Sequence, residues 1–187
     1  MSNNNGDYKP LNYRIVRHVT RTSILVIEDC LRLGKLRVEI VSYQRGEGVR
    51  ATVEHYLDAD VARLLFSELA RGRLGEPYRE FKGTMRDGQP QSRVFQLYEA
   101  KAQNPIKLEI ANGPGEVVGE GAIKPAGKPD ASLAVLLSRW DARRIALAVL
   151  AHLNAWATAT YHERVAGNTW QPPQETIVDP ETGEIIN

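Results

Sequence analysis

The chain has 187 residues, 24 Lys and Arg against 23 Asp and Glu, and a 42% apolar fraction. That balance is the one expected of a soluble globular protein with one large domain or two small ones. No apolar run approaches the roughly 18 residues of a membrane span. The opening MSNNNGDYKP has no signal-peptide core, and the lone Cys30 excludes an internal disulfide or a cysteine zinc cluster, so a cytoplasmic location is expected.

The charge is unevenly placed. Positions 168–187 hold Glu175, Asp179, Glu181 and Glu184 and no Lys or Arg, so the other 167 residues carry 24 basic against 19 acidic side chains, or +5. A basic body with an acidic tail is compatible with a polyanionic partner.

In chain order, the first strands fall at Tyr13–Thr20 (YRIVRHVT) and Ser23–Leu31 (SILVIEDCL), the second an apolar run with β-branched residues. Gly34-Lys35 turns the chain into a third strand, Leu36–Tyr43. Alternation sends Leu36, Val38, Ile40 and Ser42 to one face and Arg37, Glu39, Val41 and Tyr43 to the other. After the turn Arg45-Gly46-Glu47-Gly48, the strand Val49–Leu57 places Arg50, Thr52 and Tyr56 opposite Val49, Ala51 and Val53. Asp58 is the expected N-cap of the helix DADVARLLFSELARG, which Gly72 ends.

The same order then returns. Tyr78–Met85 is a strand, Asp87-Gly88 a turn and Ser92–Glu99 a strand, and Ile106–Ile110 (IKLEI) matches Leu36–Ile40 (LRVEI) at an offset of 70. The stretch NGPGEVVGEG over 112–121 raises the question of a phosphate cradle. A P-loop needs Lys-Ser or Lys-Thr after its last glycine, and a dinucleotide loop needs G-x-G-x-x-G before a helix. Here Ala122-Ile123 follow, Pro125 and Pro129 oppose a helix, and Glu116 and Glu120 repel phosphate. Gly119–Gly121 instead matches Gly46–Gly48 at an offset of 73. The stretch therefore reads as the turn between third and fourth strands, with glycine supplying a positive φ.

A strand over about 117–124 and a proline-bearing loop lead to Ser138, the cap of the last helix, at an offset of 80 from Asp58. Arg63 and Arg143 then share a helical position, as do Leu65 and Ile145. This helix, over 138–165, holds no Pro or Gly and is apolar on two faces, so it should cover its own sheet and also meet the first helix or a second subunit. Offsets that grow from 65 to 80 without reversing indicate two related modules, the second with longer loops. The expected fold is α+β, two tandem ββββα modules with antiparallel sheets and packed helices. A flexible N-terminus spans 1–11, the modules span 12–73 and 77–166, and a mobile acidic tail spans 167–187.

This element order, carried by stretches such as KLRVEIVSYQRGEGVRATVEHYLDADVARLLFSEL, resembles the superfamily of Whirly proteins, PUR repeats and PC4-type transcriptional coactivators over about 12–165. The resemblance implies single-stranded nucleic acid held on the strands and their connecting loops, with helices packed behind the sheets and building a homo-oligomer. The second strand lacks the Lys-Gly-Lys-Ala-Ala run of plant Whirly proteins, so no family residue is carried over by position.

Single strands are held by cations that track the backbone and by rings under the bases. The candidates are Arg14 and Arg17 on the first strand, Arg37 and Tyr43 on the third, Arg45 at the turn, and Arg50 and Tyr56 on the fourth. The second module adds Arg93 and Tyr98, Lys107 in the place of Arg37, and Lys124 beside its turn. A plainer reading competes. Charged strand residues are usually only solvated, Tyr43 and Tyr56 equally suit the rim of a core, and Glu39, Glu54 and Glu109 share the same faces. The expected function is binding of single-stranded DNA, largely without sequence preference, in replication, recombination, repair or transcription. The alternatives are a scaffold module of the same fold and an RNA-binding relative.

No catalytic set stands out. His18, His55, His152 and His162 form no His-Glu-x-x-His, and no Gly-x-Ser-x-Gly elbow is present. Asp58 and Asp60 are too few for a metal, and Cys30 in its apolar strand reads as a core thiol. Neither an enzyme nor a cofactor is expected. Three roles stay open for the tail ETIVDPETGEIIN: docking on a partner protein, folding back on the basic face, or none.

Overall fold

The computed structural model describes residues 13–119 and 122–166, and the backbone of 177–178 and 185–186. The chain forms two compact units, Met1–Asn154 and Ala155–Asn187.

In the first unit, three alternating stretches and the apolar run SILVIEDC give four antiparallel strands, β1 (Arg14–Val19), β2 (Ser23–Cys30), β3 (Lys35–Gln44) and β4 (Gly48–Asp58), in the order β1-β2-β3-β4. Leu25, Ile27, Val38, Ile40 and Val53 share the core face. Helix α1 (Ala59–Ala70) follows at once. Asp58 stands at its N-cap with extended backbone, but its carboxylate makes no cap bond. It accepts instead from Lys35 Nζ at 2.6 Å and Lys82 Nζ at 2.5 Å, two stronger charged donors. Gly72, at φ 83°, ends the helix and donates its N–H to Leu69 O.

The second sheet is also antiparallel: β5 (Tyr78–Arg86), β6 (Gln89–Glu99), β7 (Ile106–Val118), β8 (Ala122–Pro125) and β9 (Ala131–Leu137). Strands β8 and β9 share one side of β7. The stretch Ile106–Asn112 pairs with β9, and Gly115–Val118 pairs with β8. Phe95, Leu97, Leu108, Ile110 and Val135 form its core face. The His55 ring of β4 lies 5.6 Å from that of Phe95, so β4 crosses this face and joins the two cores.

Two expectations are corrected here. The start of NGPGEVVGEG is strand, and the chain reverses only at Gly119, φ 59°, which interrupts the strand expected over 117–124. Gly113 and Gly115 lie within β7 because a side chain has no room. A Cβ on Gly113 would stand 2.7 Å from Pro129 Cα, and one on Gly115 would overlap the Ile123 side chain. Residues 131–137, where the sequence predicts the end of a proline-bearing loop, form β9, whose Val135 and Leu137 complete the core.

Helix α2 (Arg139–Ala159) is capped by Ser138 as expected. The Asp141 N–H donates to Ser138 Oγ at 3.0 Å, and the Ser138 hydroxyl returns a bond to Asp141 Oδ2 at 2.6 Å. The single helix expected over 138–165 breaks at Thr160, whose hydroxyl donates to Trp156 O at 2.8 Å, and α3 (Tyr161–Ala166) follows. Helices α1 and α2 lie antiparallel. Arg63 Nη2 donates to Leu153 O and Arg143 Nε to Ala70 O, each at 3.3 Å. His152 Nε2 lies 2.7 Å from Asp29 Oδ2 and holds α2 against β2. In the second unit, α3 is accompanied by two paired strands, β10 (Ile177–Val178) and β11 (Ile185–Ile186). The expectations for 1–11 and for the rest of the acidic tail lie outside the described residues.

Candidate nucleic-acid interface

On the face of the first sheet opposite its core lies a groove of about 680 Å³. Its floor is Ile24, Val26 and Val41, with Arg14 and Arg17 of β1 on one side and Val49 and Thr52 of β4 on the other. The register sets this arrangement: Val26 pairs between Arg17 and Glu39, and Val41 between Ile24 and Thr52. Val49 reaches the groove through a bulge. Ser42 pairs with Ala51 but Tyr43 with Val49, which leaves Arg50 as the extra residue. Simple alternation, which set Val49 opposite Thr52, fails at that point.

Arg37 does not belong to an exposed binding face, and that expectation is corrected. It is 5% exposed. Its Nε donates to Glu54 at 2.8 Å, Nη1 to Glu28 at 3.0 Å and Nη2 to Glu39. A guanidinium enclosed by three carboxylates cannot reach a phosphate. Arg93 joins the cluster from β6, 3.2 Å from Glu54 Oε1, and lies 5.7 Å from the centroid of the Tyr56 ring. That ring is therefore covered by a cation of the second sheet rather than open to a base, and burial raises the pKa of its hydroxyl.

The remaining candidates divide between the sheets. Tyr43, half-buried, donates its hydroxyl to Thr20 O at 2.6 Å and fastens β3 to the β1–β2 turn. Arg45 and Arg50 are exposed at the β3–β4 hairpin, Arg50 lying 3.0 Å from Glu47. On the second sheet, Lys107 Nζ lies 2.8 Å from Glu109 and 5.3 Å from the centroid of the Tyr98 ring, and the Tyr98 hydroxyl donates to Glu109 at 3.3 Å. The Lys107 hydrogen bond holds the Glu109 carboxyl below its usual range. Lys124, exposed on β8, lies 3.3 Å from Glu116.

The structure thus brings Arg14 and Arg17 together on one groove, with Arg45 and Arg50 on the hairpin that carries Val49. Sequence reasoning missed the floor of Ile24, Val26 and Val41. The signal was present in SILVIEDC, where apolar residues occupy both strand faces.

Other polar groups cluster away from the groove. Buried His55 places Nε2 2.7 Å from Glu80 Oε1, and Tyr78 donates to Glu80 Oε2 at 2.9 Å. Burial and the Glu80 carboxylate push the Tyr78 hydroxyl well above its ordinary value. Among the described residues, no group of three or more His, Cys, Asp or Glu side chains is placed to hold a metal ion. No helix among them is long and apolar enough to cross a membrane.

No protein-family model matches the chain, and no curated protein does. Solved structures do. The plant transcriptional regulator PBF-2 matches with a TM-score of 0.51 over 88% of this chain and 99% of its own, at 8% identity. WHY1 from Arabidopsis thaliana matches with a TM-score of 0.50 over 89% and 100%, at 11% identity. At such identity the likeness is one of fold. The chain is an α+β protein of two antiparallel sheets and packed helices with a distant Whirly-like fold.

Proposed function

We propose that this chain binds single-stranded DNA along its first sheet, largely without sequence preference. The observation that carries the reading is the groove floored by Ile24, Val26 and Val41 with Arg14 and Arg17 beside it. Base faces suit an apolar floor, phosphates suit guanidinium groups, and neither contact reads sequence. Arg45 and Arg50 extend the basic track beyond the groove. The Whirly-like fold supports the same reading, since one solved structure that shares it is a plant transcriptional regulator. Replication, recombination, repair and transcription all supply the ligand, and the role is a binding one in the cytoplasm rather than a catalytic one.

A separate observation favours assembly. Leu64 of α1 and Trp140 and Leu147 of α2 are 62%, 74% and 57% exposed. Large apolar side chains left in water on the helices fit a homo-oligomer built through them. The modules over 12–73 and 77–166 are further read as an internal duplication. The reciprocal bonds of Arg63 and Arg143, residues 80 positions apart, support that.

The test is a titration of labelled single-stranded DNA, duplex DNA and single-stranded RNA at two salt concentrations. The expected result is single-strand binding that exceeds duplex binding and weakens with salt, with a slope of about −0.7 per phosphate contact. Equal duplex affinity would reveal generic charge, and preference for RNA would change the ligand class. Binding of none of them would leave a helix-mediated scaffold.

A further inference from the structure

The second sheet carries a groove of its own, about 280 Å³, on the face opposite its core. Its lining repeats that of the first groove position by position. In the first sheet, Arg17, Val26 and Glu39 form one row across the strands, and Ile24, Val41 and Thr52 form the next. In the second sheet, the same rows read Arg79, Gln96 and Glu109, then Val94, Ala111 and Ser132. All of these residues line their respective grooves.

The two grooves differ in what lies beside them. Tyr43 stands four residues beyond Glu39 on β3, and Gly113 stands four beyond Glu109 on β7. The glycine admits another segment: a Cβ there would lie 2.7 Å from Pro129 Cα and 2.9 Å from Asp130 N. Gly83 and Gly115 share that face, and a Cβ on either would overlap Ile123, itself buried. Strand β8 and the 126–130 loop therefore lie against the second groove, and Pro125, Gly127 and Pro129 form part of its wall. Its floor is also less apolar, because Gln96 and Ala111 stand where the first sheet has Val26 and Val41.

We infer that the two grooves are one binding surface present twice, and that only the first takes the nucleic-acid strand, the second being narrowed by its own β8 and 126–130 loop. This assignment rests on the single-strand reading above. A single strand needs a groove with room for its bases beside the basic track. Packing of β8 and the proline loop against three glycines leaves the second groove about 280 Å³ against about 680 Å³ in the first, while Arg79 keeps the register position of Arg17.

Amide exchange of the full chain, with and without a single-stranded oligodeoxythymidine, tests this without any substitution. The oligonucleotide should slow exchange in β1 and over 39–52 and leave 92–98 and 109–132 unchanged. Arg17→Ala and Arg79→Ala provide a matched pair. The first should weaken binding several-fold and make the salt slope shallower by about 0.7, and the second should change neither. Arg17→Lys, which keeps the charge, should retain most of the affinity. Slowed exchange in the second sheet, or equal losses from the two alanine variants, would overturn the inference with single-strand binding intact. No binding of the oligonucleotide would overturn both.

Discussion

The side-chain amide of Asn112 closes on both backbone groups of Glu54. Its Nδ2 donates to Glu54 O at 2.9 Å, and the Glu54 N–H donates to its Oδ1 at 2.8 Å. Asn112 lies on β7 and Glu54 on the edge strand β4, so this amide serves the exposed edge as a neighbouring strand would. Asn112→Ala leaves an N–H and a C=O unpaired at a half-buried junction. The expected cost is about 1–3 kcal/mol in urea denaturation. An unchanged midpoint would mean that the sheets are held together without it.

Arg37 neutralises carboxylates withdrawn from water: Glu28 is fully buried and Glu39 nearly so. Removing one member of such a cluster strands charge in the interior. Arg37→Ala should therefore destabilise the fold by about 3–5 kcal/mol, seen as a lowered unfolding midpoint. A variant of native stability with weakened DNA binding would return Arg37 to the interface.

Gly83 and Ile123 touch across β5 and β8, where no side chain fits on Gly83. Gly83→Ala should cost about 1–3 kcal/mol through overpacking. Ile123→Ala in the same chain should recover part of that loss. A double-mutant cycle reads the coupling, and strictly additive losses would show that the contact does not exist.

Glu80 is pushed up by burial, but hydrogen bonds with His55 and Tyr78 outweigh it and hold the carboxyl below its ordinary 4.5. Asp58 is likewise held below 3.8, against burial, by Lys35 and Lys82. A carboxyl with a depressed folded pKa contributes stability that is complete above its unfolded value and lost as pH falls through its folded value. Thermal melts should therefore fall as the pH drops from about 4.5 downwards, and Glu80→Gln should make that fall shallower. An equally steep decline in the variant would detach Glu80 from acid unfolding.

The strand order and the faces of β3 were legible because a period of two is a local property. What lay beyond local pattern was hidden. The bulge at Arg50 shifts Val49 by one face, and nothing in VRATVEHYL marks it. Strand β9 was lost behind Pro125 and Pro129, which are breakers in sequence but wall the second groove in space. Gly113 and Gly115 looked like turn residues, yet their role is to leave room for Pro129 and Ile123. At the candidate site, Arg14 and Arg17 were readable as cations on a polar strand face. The enclosure of Arg37 was not, because Glu28 and Glu54 reach it from other strands through the register.

The central claim is that the groove beside Arg14 and Arg17 holds an unpaired strand. Fluorescence anisotropy of labelled single-stranded DNA with the wild-type chain and with an Arg14→Ala, Arg17→Ala double variant tests it most directly. A folded double variant should bind roughly tenfold or more weakly, with a salt slope shallower by about 1.4, the share of two phosphate contacts. Wild-type affinity and an unchanged salt slope in that variant would contradict the account.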